Sequence, residues 1–234
     1  ISKFNGETWT HDHSENCDLV LISGGWNPII NLHSHRGLKP SWDDKNCCFM
    51  PDNSHNTVKL AGAAIGIWDL SKCEVSGEAI ASSVAKAFGK STPEINIPKS
   101  NGWANQIQPL YEVALPAKNQ KGFLDPQHDV TATDIRLARQ EGFISTEHLK
   151  RYTTLGMATD QGKMGNVIGI ALMAEALDGN IPNVGTTTFR PPYTPVSIGA
   201  LAGRSLNFHF RSRRSTPTDS WNLQHHPTMP DAEL

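Results

Sequence analysis

The 234-residue chain is 38% hydrophobic and 19% charged, which suits one large folded domain or two small ones and excludes a disordered chain. A formal net charge of -2 excludes bulk electrostatic attraction to nucleic acid or to an anionic membrane. The longest apolar run, around residues 167–176, is too short and too interrupted to span a bilayer.

In chain order, the opening Ile1-Ser2-Lys3-Phe4 has no initiator Met, basic segment or apolar leader, so the chain is expected to be a fragment. Residues 17–22 are a short apolar run entering Ser23-Gly24-Gly25, the pattern of a buried strand meeting a glycine turn. Residues 57–64 read as a second strand ending in small residues. A helix follows over 74–88, with Val75, Ala79, Ile80, Val84 and Ala87 on one face and Gly89 as its stop. Together they form the end of an α/β piece, lacking the strands and opening Gly-rich turn of a complete doubly wound domain. The four cysteines (Cys17, Cys47, Cys48 and Cys73) form no CxxC pair and read as reduced thiols of a cytoplasmic protein.

Residues 91–122, with Pro93, Pro98, Pro109 and Pro116, read as a surface linker. From 123 the pattern becomes helical. Thr131 and Asp134 fit a capping box ahead of Ile135, Leu137 and Ala138, and Gly142 ends that helix. Ser145 caps a second helix through Leu149 and Tyr152. Asn166 is expected to cap a third, with Val167, Ile170, Ala171, Ala174 and Leu177 inward and Gly179 at its end. The proline-rich stretch 185–199 must be extended.

Several clusters admit both a functional and a structural reading. The turns at 23–26 and 61–66 lack bulky side chains, which suits backbone approach to a nucleotide and equally suits a helix packing on a sheet. His11 with His13, and His33 with His35, are H-x-H pairs that a strand would place on one face; no acid or thiol completes a metal-ligand set. The basic run 209–214 is short and reads as a solvated linker. Lys150 and Arg151, then Thr153, Thr154, Gly156 and Lys163, are the parts of an anion pocket, while the same cations suit the carbonyls of a helix C-terminus. No nucleophile elbow, zinc-protease or P-loop motif is present, and no catalytic residue can be assigned.

Two longer stretches, HLKRYTTLGMATDQGK at 148–163 and GTTTFRPPYTPV at 185–196, closely resemble the alpha subunit of heterotetrameric sarcosine oxidases. SGGWNP at 23–28, KPSWD at 39–43 and AGAAIG at 61–66 look like the close of that family's pyridine-nucleotide-binding region. FLDPQHDVT at 123–131 looks like the entry to its helical middle domain. The resemblance implies a partial Rossmann-like region over 1–90, the linker over 91–122, and a helical domain with its extended arm over 123–215. The start of a truncated aminomethyltransferase-like folate domain then occupies 216–234.

The resemblance further implies oxidative demethylation of sarcosine, with tetrahydrofolate as one-carbon acceptor and peroxide as the product of reoxidation. A beta subunit would carry FAD, FMN would lie at its interface with alpha, and gamma and delta subunits would complete the assembly. NAD would sit on alpha; here Gly62, Ala63 and Trp68 are the expected remnant of its site, too incomplete for useful affinity. Arg151, Thr153, Thr154 and Lys163 are expected to line the FMN side. A more distant likeness to a [2Fe–2S] family meets Asp125-Pro126-Gln127-His128 and Asp160-Gln161-Gly162-Lys163 where thiolates are required, so no cluster is expected. The chain alone is expected to be inactive. The rival readings are a non-catalytic module docking on a flavoprotein subunit and the alpha-type subunit of a related N-methyl amino acid oxidoreductase.

Overall fold

The helical core starts at a hairpin. Phe123–Asp125 (here β5) pairs antiparallel with Val130–Thr131 (β6), and the chain passes without a loop into helix α3, Ala132–Gln140. Thr131 is extended at the boundary, and Asp134 reaches back to accept from its N–H at 2.8 Å and its hydroxyl at 2.7 Å. This satisfies donors that a helix start leaves without partners. Helix α4, Thr146–Thr153, begins at Ser145, whose Oγ accepts from the His148 N–H. Helix α5, Asn166–Ala176, is buried continuously from Gly169 to Ala174, as an all-round apolar sequence requires. Leu124, Val130, Ile135, Leu149, Leu155 and Met173 interlock as one core between these elements. The short helix α6, Ile181–Val184, follows.

These facts come from a computed structural model that describes residues 1–5, 9–21, 25–52, 58–93, 95–97, 99–100, 107–113, 121–209 and 214–225. They fall in two compact units, 1–194 and 195–234. In the first, β1 (Ser2–Phe4) pairs antiparallel with β2 (Trp9–His11), and β3 (Ser41–Asp43) with β4 (Cys48–Met50). A four-residue helix α1, Asn31–Ser34, precedes β3. Asp43 organises the β3–β4 turn, accepting from the Lys45 and Asn46 N–H groups and the Asn46 side-chain amide. The Asn46 side-chain bond, above all, holds the Asp43 carboxyl below its usual range. A 3-10 turn at Gly62–Ile65 leads to helix α2, Leu70–Ala87, which Asp69 caps by accepting from the Lys72 N–H. The second unit holds α7 (Ile198–Ala202) and α8 (Asp219–His225), neither with a buried residue.

The chain thus has the expected mixture of helix and strand, and α3 and α4 begin at the caps the sequence predicts, Thr131 with Asp134 and Ser145. The N-terminal region differs from its expected Rossmann-like form. Every ladder among the described residues is antiparallel, whereas that form needs parallel neighbours. Residues 17–21 form no ladder, and Leu19, Val20 and Leu21 are 74%, 66% and 86% exposed. A buried strand is buried by its neighbours, and none is present among the described residues. Residues 58–61 likewise carry no ladder, and 62–65 coil into the 3-10 turn. Helix α2 starts four residues before its predicted position and buries none of its side chains. Ser23, Gly24, Thr57, Pro98, Pro116, residues 210–213 and His226 lie outside the described residues. No helix among the described residues is long and apolar enough to cross a membrane.

Candidate functional site

The site is built around the extended segment 185–193, which the helical core ties down at several points. Asn166 at the start of α5 is buried, and its amide donates to Thr187 Oγ at 3.4 Å. Glu147 on α4 accepts the Thr188 N–H at 2.8 Å. Lys163 Nζ donates to the Tyr193 carbonyl at 2.8 Å and to the Asp160 carbonyl at 3.1 Å, and lies 3.8 Å from the centre of the Tyr193 ring. Within the segment, the Phe189 and Tyr193 rings meet edge to face, 4.9 Å apart, across a cis Pro191-Pro192 peptide. Burial, ahead of the nearby Asp160 charge, pushes the Tyr193 phenol above its usual range.

The glycines around Asn166 explain the 156–165 loop. A Cβ on Gly156 would stand 2.3 Å from the Asn166 side chain, and one on Gly162 would stand 2.2 Å from it. Both glycines also have positive φ, 74° and 76°. The loop therefore wraps the Asn166 amide, which in turn reaches the extended segment. Asn166 does not cap α5 as its sequence position suggests; Gly165 occupies the cap.

The segment lines two adjoining cavities. One, of about 230 Å³, is mainly apolar, with Ile29, Ile30, Phe49, Val167, Phe189 and Tyr193 among its walls and Lys163 on its rim. The other, of about 310 Å³, is cationic, lined by Lys150, Arg151 and Arg190 with Glu147, Gln161 and Tyr193. Arg151 pairs with Glu147 at 3.1 Å and donates to the Glu147 carbonyl at 2.8 Å. Lys150 and Arg190 have no ion-pair partner among the described residues. An apolar slot beside a pocket with excess positive charge suits a ligand with an anionic end and a flat body.

The residues singled out from sequence separate in space. Arg151 lines the cationic pocket and Lys163 the apolar one. Thr153 faces a different depression, beside His128, Asp134 and Tyr152, and its hydroxyl donates to the Leu149 carbonyl. Thr154 takes the left-handed conformation that ends α4, and its hydroxyl donates to the Thr153 carbonyl. Both threonines thus serve the helix end. Lys150 was weighed with the group; Arg190 and Asn166 were missed as site residues. Their signal was the same TTTFRPP string and the glycines bracketing 156–166.

Gly62, Ala63 and Trp68 sit at the 3-10 turn ahead of α2. The Gly62 N–H donates to Ser76 Oγ, its carbonyl accepts from Ile67, and the Ala63 carbonyl accepts from Gly66. The Trp68 indole donates to Asn46, and its ring lies 6.2 Å from that of Trp26. The Gly62 amide is already bonded, which fits poorly with a dinucleotide phosphate cradle. The histidine pairs divide as well. His33 is buried in α1, while His13 bonds Asp12 and Glu15 at the surface. Among the described residues no three His, Cys, Asp or Glu side chains gather as a metal site.

Residues 119–204, which hold the anchors of the extended segment and the cationic pocket, match the sarcosine oxidase A3 domain. The match takes in every anchor of the extended segment. The chain is also related over most of its length to sarcosine oxidase alpha subunits. It is 40% identical over 208 residues to sarcosine oxidase subunit alpha of Rhizobium meliloti, covering 89% of this chain and 21% of that protein. It is 36% identical over 217 residues to the subunit of the same name from Corynebacterium sp. strain P-1, covering 88% and 22%. The chain therefore spans about a fifth of the length of these relatives. Among solved structures, L-proline dehydrogenase from P. horikoshii is similar in fold, with a TM-score of 0.52, 18% identity, and coverage of 76% of this chain and 37% of that one.

Proposed function

We propose that this chain is part of the alpha subunit of a sarcosine-oxidase-type flavin oxidoreductase and supplies the surface that faces a flavin-bearing beta-type subunit. The observation that carries the reading is the cleft along residues 185–193. It joins an apolar slot to a pocket whose Lys150 and Arg190 have no ion-pair partner among the described residues, and that cationic pocket lies within the segment matching the A3 domain. Those two cations, with Arg151 and Lys163 at the rims, would meet the phosphate of an interfacial FMN; Thr153 and Thr154 contribute to the helix end instead. FMN and FAD would supply the redox chemistry. This chain's residues would bind, orient and exclude water.

In this reading residues 1–90 close a nucleotide-binding region, 91–122 link it to the helical domain and arm over 123–215, and 216–234 open a folate domain. The whole assembly, with beta, gamma and delta subunits, would demethylate sarcosine and hand the one-carbon unit to tetrahydrofolate. NAD affinity at Gly62, Ala63 and Trp68 is expected to be negligible, and micromolar binding by isothermal titration would refute that part. The decisive test is co-expression with a beta-type subunit. A flavin-coloured complex with sarcosine-dependent peroxide supports the proposal. A coloured complex without turnover would make the chain a non-catalytic docking module. Turnover of a different N-methyl amino acid would move it to a related oxidoreductase.

A further inference from the structure

A third and larger cavity, of about 630 Å³, lies between α1, the β3–β4 hairpin and the outer side of residues 184–188. Its volume falls within the range of small-molecule sites, roughly 300–1,000 Å³. Five hydroxyl-bearing residues line it: Ser34, Ser41, Thr186, Thr187 and Thr188. Ser34 is 5% exposed, and its hydroxyl has no hydrogen-bond partner among the described residues. The neighbouring His33 is 1% exposed, and its Nε2 is unpartnered as well. Buried polar groups are seldom left in this state, so each calls for a missing partner. Ser34 is among the residues lining the cavity, but its oxygen is closed off from solvent, so a ligand meets it through a χ1 rotation.

Charge narrows the class. Lys39 is the lining cation, no carboxylate lines the cavity, and Lys39 has no ion-pair partner among the described residues. One ammonium balances one negative charge; a phosphate dianion would bring a second charge with nothing to offset it. The opposite wall is apolar, formed by Trp42 and Phe49, whose rings meet nearly edge to face at 5.1 Å. Such a pair offers an apolar wall on which an aromatic body can meet one ring face. The Trp42 indole N–H is already bonded to Asp44, so the ring itself contributes surface and no hydrogen bond.

We propose that this cavity binds an aromatic monocarboxylate, with the carboxylate at Lys39, the ring against Trp42 and Phe49, and a polar substituent at Ser34. The cavity shares Pro40, Phe49 and Thr186 with the apolar slot of the flavin-facing cleft, but Ser34 and Lys39 do not line that slot, and the proposal does not depend on the function proposed above. The test uses the full chain and 4-hydroxyphenylacetate as probe, followed by isothermal titration and by the Trp42 indole N–H signal, assigned with Trp42→Phe. Saturable binding with a shift of that signal is expected. Lys39→Met should weaken binding roughly 10-fold, as loss of a charge-assisted contact does. Ser34→Ala should weaken it several-fold without lowering the melting temperature, because the hydroxyl it removes has no partner among the described residues. Lys150→Ala, on the other side of the segment, should leave binding unchanged. Equal affinity for the neutral alcohol analogue, tighter binding of the phosphonate analogue, or an unchanged affinity in Lys39→Met would each overturn the proposal. So would the absence of binding at millimolar probe.

Discussion

Lys163→Met tests whether the extended segment is held by its electrostatic anchor. The substitution keeps the stem but removes the ammonium that donates to the Tyr193 and Asp160 carbonyls and lies 3.8 Å from the Tyr193 ring centre. A charged donor contributes about 1.5–3 kcal/mol in favourable settings. Lys163 is exposed, so water competes and about 0.5–1 kcal/mol is the larger share to expect. The cation–π contact adds about 0.5–1 kcal/mol at an exposed position. Together the anchor is worth about 1–2 kcal/mol, or roughly a 5- to 30-fold rise in the undocked population when it is lost. Native-state hydrogen exchange reads this directly. The Thr188 amide, bonded to the Glu147 carboxylate in the docked segment, should exchange faster by that factor, while Leu172 and Met173 in the core stay protected. Unchanged exchange at Thr188, or an equal loss throughout the core, would refute the reasoning.

Three further outcomes are expected. Leu149→Ala removes a side chain that is 1% exposed at the centre of the helical core and should cost about 2–5 kcal/mol in urea unfolding. Asp134→Ala deletes the acceptor for both Thr131 donors and should cost about 1 kcal/mol, with the loss confined to the start of α3 by hydrogen exchange. Burial, ahead of the Asp43 charge, pushes the Cys48 thiol up to about 12, and burial, ahead of the Cys47 charge, does the same to the Tyr111 phenol. Each group is an acid whose folded value is raised, so its stabilising effect is complete below the ordinary thiol or phenol range and is lost as pH rises towards 12. Urea midpoints should hold steady up to about pH 9 and then fall, more steeply in the parent chain than in Cys48→Ala.

Local rules were legible wherever a residue answered to its chain neighbours. Thr131 with Asp134 and Ser145 with His148 announce helix starts through bonds three residues long, and the structure places α3 and α4 on those signals. The strand reading of 17–22 failed for the opposite reason. The run Leu19-Val20-Leu21 has the composition of a buried strand, but burial is supplied by partners distant in sequence, and these side chains stand exposed. His33 and His35 would share a face only on a strand, and His33 sits instead on a helix of four residues, a length at which periodicity carries no signal.

The site shows the same division at finer scale. Reading 150–163 as an anion pocket found the cations, because charge is visible in a string; it grouped Thr153 and Thr154 with them because hydroxyls are visible too. What the string does not carry is which donors the backbone has already taken. Thr153 and Thr154 spend theirs on carbonyls at the end of α4, and Arg151 is matched by Glu147. Lys150 and Arg190 are left with their charge uncompensated among the described residues. Asn166 is the inverse case, a residue with an ordinary local explanation and a long-range role. Its amide fits between Gly156 and Gly162 because neither has a Cβ, and from there it reaches Thr187. Any side chain at either glycine would displace it, so the two glycines, the asparagine and the threonine run form one anchoring unit, which the sequence spreads over more than thirty positions.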